Sequence, residues 1–251
     1  MMSDPKYVWL RQLAAFVILL LIWEAAGRAG YLNPLYMPTP LQIWGALVEL
    51  FGGGSIWPHM YATFSAALAG LALGIVVGIV LGVLAALIRP VAELLEPVML
   101  LLNAIPRVIL APLFVIWFGI GLGSKVALAF ILVSVVIFFT VFTGIRQVDR
   151  KLVERIVTLG GSRIDLLRQV YLPSVAAWVL GNLKVAVGFA FTGAVVGEFV
   201  AASRGLGYLL SFAQSTYNAA LMMALVLLIM AVVLLIFTLA GRLEKRLLRW
   251  S

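Results

Sequence analysis

Long runs of apolar residues leave few folds open to this sequence. A helix needs roughly 20 such residues to cross the hydrocarbon core of a bilayer. Runs of about that length cover residues 12–28, 62–88, 97–119, 125–145, 178–201 and 219–241. Charged residues make up only 11% of the chain, whereas soluble domains carry about a quarter. The sequence therefore predicts an all-α, polytopic membrane protein with about six transmembrane helices.

The first apolar run has the features of a secretory signal peptide. It follows Lys6 and Arg11, and Ala25-Ala26-Gly27 could serve as a cleavage region. We expect a retained span instead.

Lys and Arg are distributed unequally between the connections, which predicts the orientation because cytoplasmic loops carry the excess of basic residues. With the N-terminus in the cytoplasm, thirteen basic residues face inward and three, Arg28, Lys125 and Arg204, face outward. The inward group comprises Lys6, Arg11, Arg89, the six basic residues of 146–168, Arg242, Lys245, Arg246 and Arg249. We therefore expect both termini on the cytoplasmic side of the membrane.

The first outward connection contains a second helical pattern at residues 40–51. Thr39 is a suitable N-cap and Pro40 a suitable first residue. The apolar residues that follow recur on one stripe, which predicts an amphipathic helix lying in the outer interface. This stripe consists of Leu41, Trp44, Leu47, Val48 and Phe51.

The second span carries a glycine at every fourth position, namely Gly70, Gly74, Gly78 and Gly82. This spacing removes side chains from one face and lets another backbone approach closely. The face could pack statically or could allow a neighbouring helix to move, and the pattern leaves both interpretations open.

Prolines interrupt the third span. Pro106 and Pro112 predict a kinked or broken helix, and broken helices at membrane depth line cavities or are buried in protein. Asn103, Pro106 and Arg107 are therefore candidates for the wall of a transport pathway. Arg107 could attract an anionic substrate, or it could pair locally near the cytoplasmic side.

A charged, helix-patterned segment at about residues 149–173 separates the fourth and fifth spans. Apolar residues from Leu152 to Leu159 form one helical face, Gly160-Gly161 interrupts it, and Ser162 can cap a second helix. Pro173 marks the beginning of the next span. The pattern predicts helix, glycine turn and helix along the cytoplasmic surface, where anionic lipid alone could also hold it.

The segment at residues 149–173 resembles the EAA coupling motif of permease subunits in binding-protein-dependent ABC importers and is named the coupling segment for that reason. Glu154 precedes Gly160 by six residues, and Val170-x-Leu172-Pro173 follows. The stretches APLFVIWFGIG, TLGGSR, VVGEFVAASRGLGYLL and RLEKRLLRW resemble the nitrate/sulfonate/taurine branch. In place of the two alanines that follow the glutamate in the family, this chain has Arg155 and Ile156.

The resemblance implies an ABC importer type I permease fold in a bacterial inner membrane, with residues 1–251 forming a single transmembrane domain. It also implies as partners a second copy of the chain, two ATP-binding subunits and a solute-binding protein. ATP and Mg would bind the ATPase, and this chain would hold no cofactor. The residues expected to couple to the ATPase are Glu154, Arg155, Leu159, Gly160, Gly161, Ser162, Leu172 and Pro173.

Glu198 and the glycine-containing loop that follows it recur in this family, where the loop forms part of the periplasmic gate. Gly205 and Gly207 would let the loop fold back tightly. We expect Glu198 to anchor the loop, through Arg204 or backbone amides, because a carboxylate would repel an anionic substrate.

Other functional classes fit the sequence poorly. The chain has no cysteine and a single histidine, His59, so neither a metal site nor a catalytic site is expected. The basic residues are placed as membrane topology requires, which argues against nucleic-acid binding. A phosphate-binding loop is also missing, since Gly121 to Lys125 has the wrong spacing. A secondary transporter would need midplane ion sites or inverted repeats, and neither is clear.

The family resemblance suggests a small anionic substrate of the sulfonate, taurine, nitrate or aromatic carboxylate class. A vitamin or pyrimidine precursor is the alternative.

Overall fold

The computed structural model describes residues 7–247, apart from the side chains of Arg107, Arg163 and residues 243–247. Several residues of the orientation argument, including Lys6 and Arg249, therefore lie outside the described part. The described residues form two compact units, one of residues 7–57 and 209–230 and the other of residues 58–208 and 231–247.

Helices dominate both units. In chain order they are α1 (Val8–Arg28), α2 (Pro40–Gly52), α3 (Ile56–Leu87), α4 (Arg89–Ala104), α5 (Leu110–Phe118), α6 (Leu122–Arg146), α7 (Arg150–Thr158), α8 (Arg163–Leu166), α9 (Leu172–Gly181), α10 (Leu183–Val200), α11 (Leu206–Ser215) and α12 (Ala219–Leu247). Within the first unit α1 contacts α2, and within the second α6 packs against α5, α9 and α10.

Helix α6 is the centre of the second unit. Leu128, Val133, Ile137 and Phe138 along it are fully shielded from the surroundings. A helix that is apolar on all sides and buried by its neighbours is the expected core of a membrane bundle.

Among the described residues, five helices are long and apolar enough to cross a membrane: α1, α3, α6, α10 and the part of α12 from Ala219 to Arg242. The third predicted span is broken, as its prolines indicate. Helix α4 ends at Ala104, a 3-10 turn covers Arg107–Ile109, and α5 follows. Pro112 is tolerated because it lies in the first turn of α5, where backbone donors have no partner within the helix.

The fifth predicted span, residues 178–201, is wrong at its beginning. The structure places a helix boundary at Asn182, between α9 and α10. Gly181-Asn182 is a local signal for the end of a helix, which the hydropathy of the surrounding apolar residues outweighed.

The four glycines of α3 face α6 at successive turns. A side-chain carbon on Gly74, Gly78 or Gly82 would lie 2.6–2.9 Å from the Cβ of Val133, Ile137 or Val141, respectively, and one on Gly70 would collide with Ala129. The two helices approach so closely that only glycine fits at these four positions. This contact supports the interpretation of the glycine face as close packing within the chain.

Helix α2 begins as predicted. Thr39 accepts a hydrogen bond from the Gln42 amide, the Gln42 side chain accepts one from the Thr39 amide, and Pro40 is the first residue. The helix buries Ile43 and Leu50. Most of the predicted apolar stripe, including Trp44 and Val48, is exposed, which suits a helix that turns this face towards lipid.

Candidate functional site

The coupling segment folds as a helix, a glycine turn and a second helix, which confirms the predicted pattern. Asp149 caps α7 by accepting a hydrogen bond from the Lys151 amide at 2.9 Å. The helix ends before Gly160, whose φ of +79° lies in the left-handed region that glycine adopts without strain. The chain can therefore reverse sharply after α7.

Ser162 caps the second helix, as its position after the glycines predicted. Its amide and its hydroxyl donate to one oxygen of Asp165 at 2.8 and 2.6 Å, and the Asp165 amide donates back to the hydroxyl at 3.3 Å. These hydrogen bonds from Ser162 hold the pKa of the Asp165 carboxyl below its ordinary value. The reciprocal cap fixes the direction in which the chain leaves the glycine turn.

The second helix does not stop where the next span was expected to begin. Helix α8 continues through a wider π turn, Leu167–Tyr171, into α9, in which Pro173 is the second residue. Proline has no amide proton and its ring crowds the carbonyl of Gln169, so a wider turn before it relieves the clash. The coupling segment thus joins α9 through continuous helical backbone.

The coupling segment exposes apolar side chains. None of the residues of α7 is buried, and Val157 and Leu159 are 57% and 76% exposed. Glu154 and Arg155 are exposed on the same short helix. A helix with apolar and charged residues both presented outward is suited to docking against another surface.

The broken third segment lines a cavity of about 330 Å³ in the second unit. Asn103 and Pro106 form one wall, and Leu132 of α6 with Phe189 and Thr192 of α10 contribute to another. Asn103 and Pro106, two of the three residues predicted for the pathway wall, therefore line the same cavity. Arg107 begins the 3-10 turn, but its side chain lies outside the described part of the structure.

Glu198 anchors the loop that follows α10. It is 2% exposed, and one of its carboxylate oxygens accepts hydrogen bonds from the Gly207 amide at 3.0 Å and the Thr63 hydroxyl at 2.8 Å. A side chain on Gly205, whose φ is +125°, would collide with the same carboxylate. The predicted gate residues Glu198, Gly205 and Gly207 therefore form one cluster, and this geometry supports the anchoring role.

Thr63 and His59 of α3 complete this cluster and were not singled out by the sequence. The Leu206 amide donates to the Thr63 hydroxyl at 2.9 Å, and the Gly205 amide donates to Nδ1 of His59 at 3.1 Å. The His59 ring also stacks on Tyr208. The only signal in the sequence was that His59 and Thr63 stand four residues apart, at helical spacing, near the start of the largely apolar helix α3.

Comparison with known proteins places the chain in a family. Residues 74–249 match the model of the family described as "Binding-protein-dependent transport system inner membrane component". The riboflavin transport system permease protein RibX of Chloroflexus aurantiacus is 38% identical over 94% of this chain and 88% of its own length.

Two further relatives have similar coverage. The formylaminopyrimidine transport permease protein ThiX of Halalkalibacterium halodurans is 31% identical over 94% of this chain and 93% of its own. The putative aliphatic sulfonates transport permease protein SsuC of Escherichia coli is 30% identical over 100% of this chain and 96% of its own.

A solved structure has the same fold. The methionine ABC transporter MetNI, in an inward-facing conformation, contains a chain that is 21% identical, with a TM-score of 0.60 over 76% of this chain and 93% of that one. The family and the fold that the EAA-like motif indicated are confirmed. The chain belongs to the binding-protein-dependent transport system inner membrane components, the multi-pass and non-catalytic permease subunits of ABC importers.

Proposed function

We propose that two copies of this chain form the membrane-spanning part of an importer that two separate ATPase subunits drive through alternating access. A solute-binding protein delivers the solute on the outer side. Both termini and the coupling segment face the cytoplasm, as the distribution of Lys and Arg favours. ATP and Mg bind the ATPase subunits, since this sequence has no phosphate-binding loop.

The exposed apolar face of the coupling segment carries this proposal. Helix α7 has nine residues, whereas isolated helices shorter than about 12–15 residues are marginal in water. A groove on the ATPase would cover Val157 and Leu159 and hold the helix in place, and Glu154 would meet a basic residue of the groove. Among the other predicted coupling residues, Gly160 forms the turn, Ser162 caps the second helix, and Leu172-Pro173 connects that helix to α9. These residues set the shape of the segment.

In alternating access, the solute cavity is open to only one side of the membrane at a time. The cavity beside Asn103 and Pro106 is the proposed solute compartment, and the cluster of Glu198, Gly205 and Gly207 is the proposed outer gate. A broken helix beside the cavity supports this assignment, because non-helical backbone at membrane depth requires a protein or water environment.

We assign the solute to the class of small heteroaromatic compounds, of which riboflavin is the model. RibX and ThiX are named for such compounds, and RibX shares 38% identity with this chain. The lining of the cavity agrees with this class. Phe189 offers an aromatic surface, Asn103 and Thr192 offer polar groups, and the other described lining residues are apolar.

A sulfonate is the second candidate, because SsuC is 30% identical over the whole chain and because Arg107 begins the turn beside the cavity. Reconstitution of the chain in vesicles with its ATPase subunits and binding protein separates the two classes. We expect ATP-dependent uptake of riboflavin to exceed that of an alkanesulfonate. The reverse order would replace the substrate class, and uptake by the chain alone would overturn the proposed mechanism.

A further inference from the structure

A buried lysine lies beside the proposed outer gate. Lys125 is in the first turn of α6 and is 4% exposed. Burying a charged ammonium is costly unless oxygen atoms replace its hydration, and the N-terminal turn of a helix disfavours a cation further. Such a residue must be held by specific partners.

The partners of Lys125 come from two different loops. Its ammonium donates to the carbonyl oxygen of Ala201, which follows α10, at 2.6 Å. It also donates to the carbonyl oxygen of Ile120, between α5 and α6. Ala201 is 76 residues away in the sequence, and so one side chain ties together two connections that the chain itself leaves far apart.

The carboxylate of Glu198 completes the environment of this lysine. Its charge is opposite to that of the ammonium group, and both residues line a cavity of about 130 Å³ with Ala66, Ser203 and Arg204. Glu198 holds the Gly207 amide and Thr63, whereas Lys125 holds the carbonyl of Ala201. Both ends of the loop from Ala201 to Gly207 are therefore fastened, one by each member of the buried pair.

We propose that Lys125 is a positioning residue of the outer gate, which binds the loop at residues 119–121 to the loop at residues 201–207 so that the two loops open and close as one body. This role rests on the proposed function, since it assumes that these loops bound the pathway. The lysine acts through the two backbone carbonyls and does not need to touch the solute.

The absence of cysteine from the chain allows a direct test with one reporter thiol. The reporter is introduced by Ala66→Cys, at a position that is 1% exposed and lines the small cavity. Right-side-out vesicles containing this parent chain with its ATPase subunits are treated with a membrane-impermeant thiol reagent, without ATP. We expect Lys125→Met to raise the labelling rate of the reporter about tenfold or more, because two charge-assisted hydrogen bonds are lost.

Three further variants decide what the lysine contributes. Arg28→Gln removes an exposed cation that lies outside both loops and should label like the parent. Lys125→Gln disturbs packing less than Lys125→Met does, and it should also label faster than the parent. It keeps the test decisive if the methionine variant fails to assemble. The double variant Lys125→Met with Glu198→Gln removes both charges and should still label fast.

If both single lysine variants label within about twofold of the parent rate, the inference is overturned. The expected tenfold increase corresponds to only about 1.4 kcal/mol, which the loss of two charge-assisted hydrogen bonds should easily supply. A return to the parent rate in the double variant would overturn it as well, because Lys125 would then serve only to balance Glu198. Addition of ATP to the parent tests the proposed function separately. Labelling that ATP leaves unchanged would contradict alternating access, while the comparison without ATP still decides the role of Lys125.

Discussion

Ile156 occupies the space in which a side chain on Gly161 would have to lie. A Cβ atom on Gly161 would be 2.5 Å from Cγ2 of Ile156 and 2.9 Å from its carbonyl oxygen. The backbone of the turn is therefore packed directly against the end of α7. Ile156, which stands where the family has an alanine, therefore helps to fix the conformation of the turn.

Gly161→Ala should loosen this turn. The added methyl group would collide with Ile156, and overpacking of this kind costs about 1–3 kcal/mol. We expect ATP hydrolysis by the assembled importer to become less dependent on the solute-loaded binding protein, because the coupling segment would transmit movement less rigidly. Gly181→Ala, at a position with open space around it, is the matched control. Equal coupling in the two variants would contradict this role of the turn.

Glu154→Lys tests the ionic part of the proposed docking. Reversal of a charge that faces a basic groove should weaken association with the ATPase by about tenfold or more. Solute-stimulated ATP hydrolysis and co-purification of the ATPase subunits measure this effect. Glu49→Lys, which makes the same charge change on an exposed position of α2, controls for net charge. Transport that survives Glu154→Lys intact would rule out the ionic contact.

Gly74→Ala should destabilise the chain without touching the coupling segment. Its new methyl group would lie 2.6 Å from Cβ of Val133, and separating α3 from α6 should cost about 1–3 kcal/mol. Thermal unfolding in detergent measures the loss. Gly45→Ala, whose added carbon meets no neighbour within 4 Å, should leave the melting temperature unchanged or raise it slightly, because alanine favours the interior of a helix more than glycine does. A Gly74→Ala chain as stable as the parent would show that the two helices can separate at little cost.

The cap at Ser162 should weaken in acid. Because the native pKa of Asp165 lies below its ordinary value, the ionised carboxylate stabilises the cap at neutral pH. That stabilisation is lost as the pH falls through the lowered native pKa. The protection factor of the Ser162 amide in hydrogen exchange should therefore decrease in acid. In Asp165→Asn this pH dependence should disappear, and a persisting dependence would assign it to another group.

The sequence predicted best those structural features that depend on one helix or one turn alone. Apolar runs identified the spans, Pro106 marked the break after α4, and Thr39 with Pro40 marked the start of α2. Gly160 and Ser162 indicated the turn between α7 and α8. Each of these signals is local, because it depends on the conformational limits or hydrogen-bonding capacity of one or two residues.

Contacts between distant elements could not be predicted in the same way. Lys125 and Ala201, or His59 and Gly205, meet only after several helices have packed. The count of basic residues placed Lys125 on the outer side, whereas packing made it a buried partner of two loops.

Site-specific photo-cross-linking from Leu159 tests most directly whether the coupling segment docks a separate ATPase. A benzophenone amino acid replaces Leu159, which is 76% exposed, in the importer assembled in native membranes. A second chain carries it at Leu19 of α1, which is 65% exposed, as the control. We predict an adduct with the ATPase subunit from position 159 and none from position 19. Adducts of position 159 with lipid alone would contradict the account.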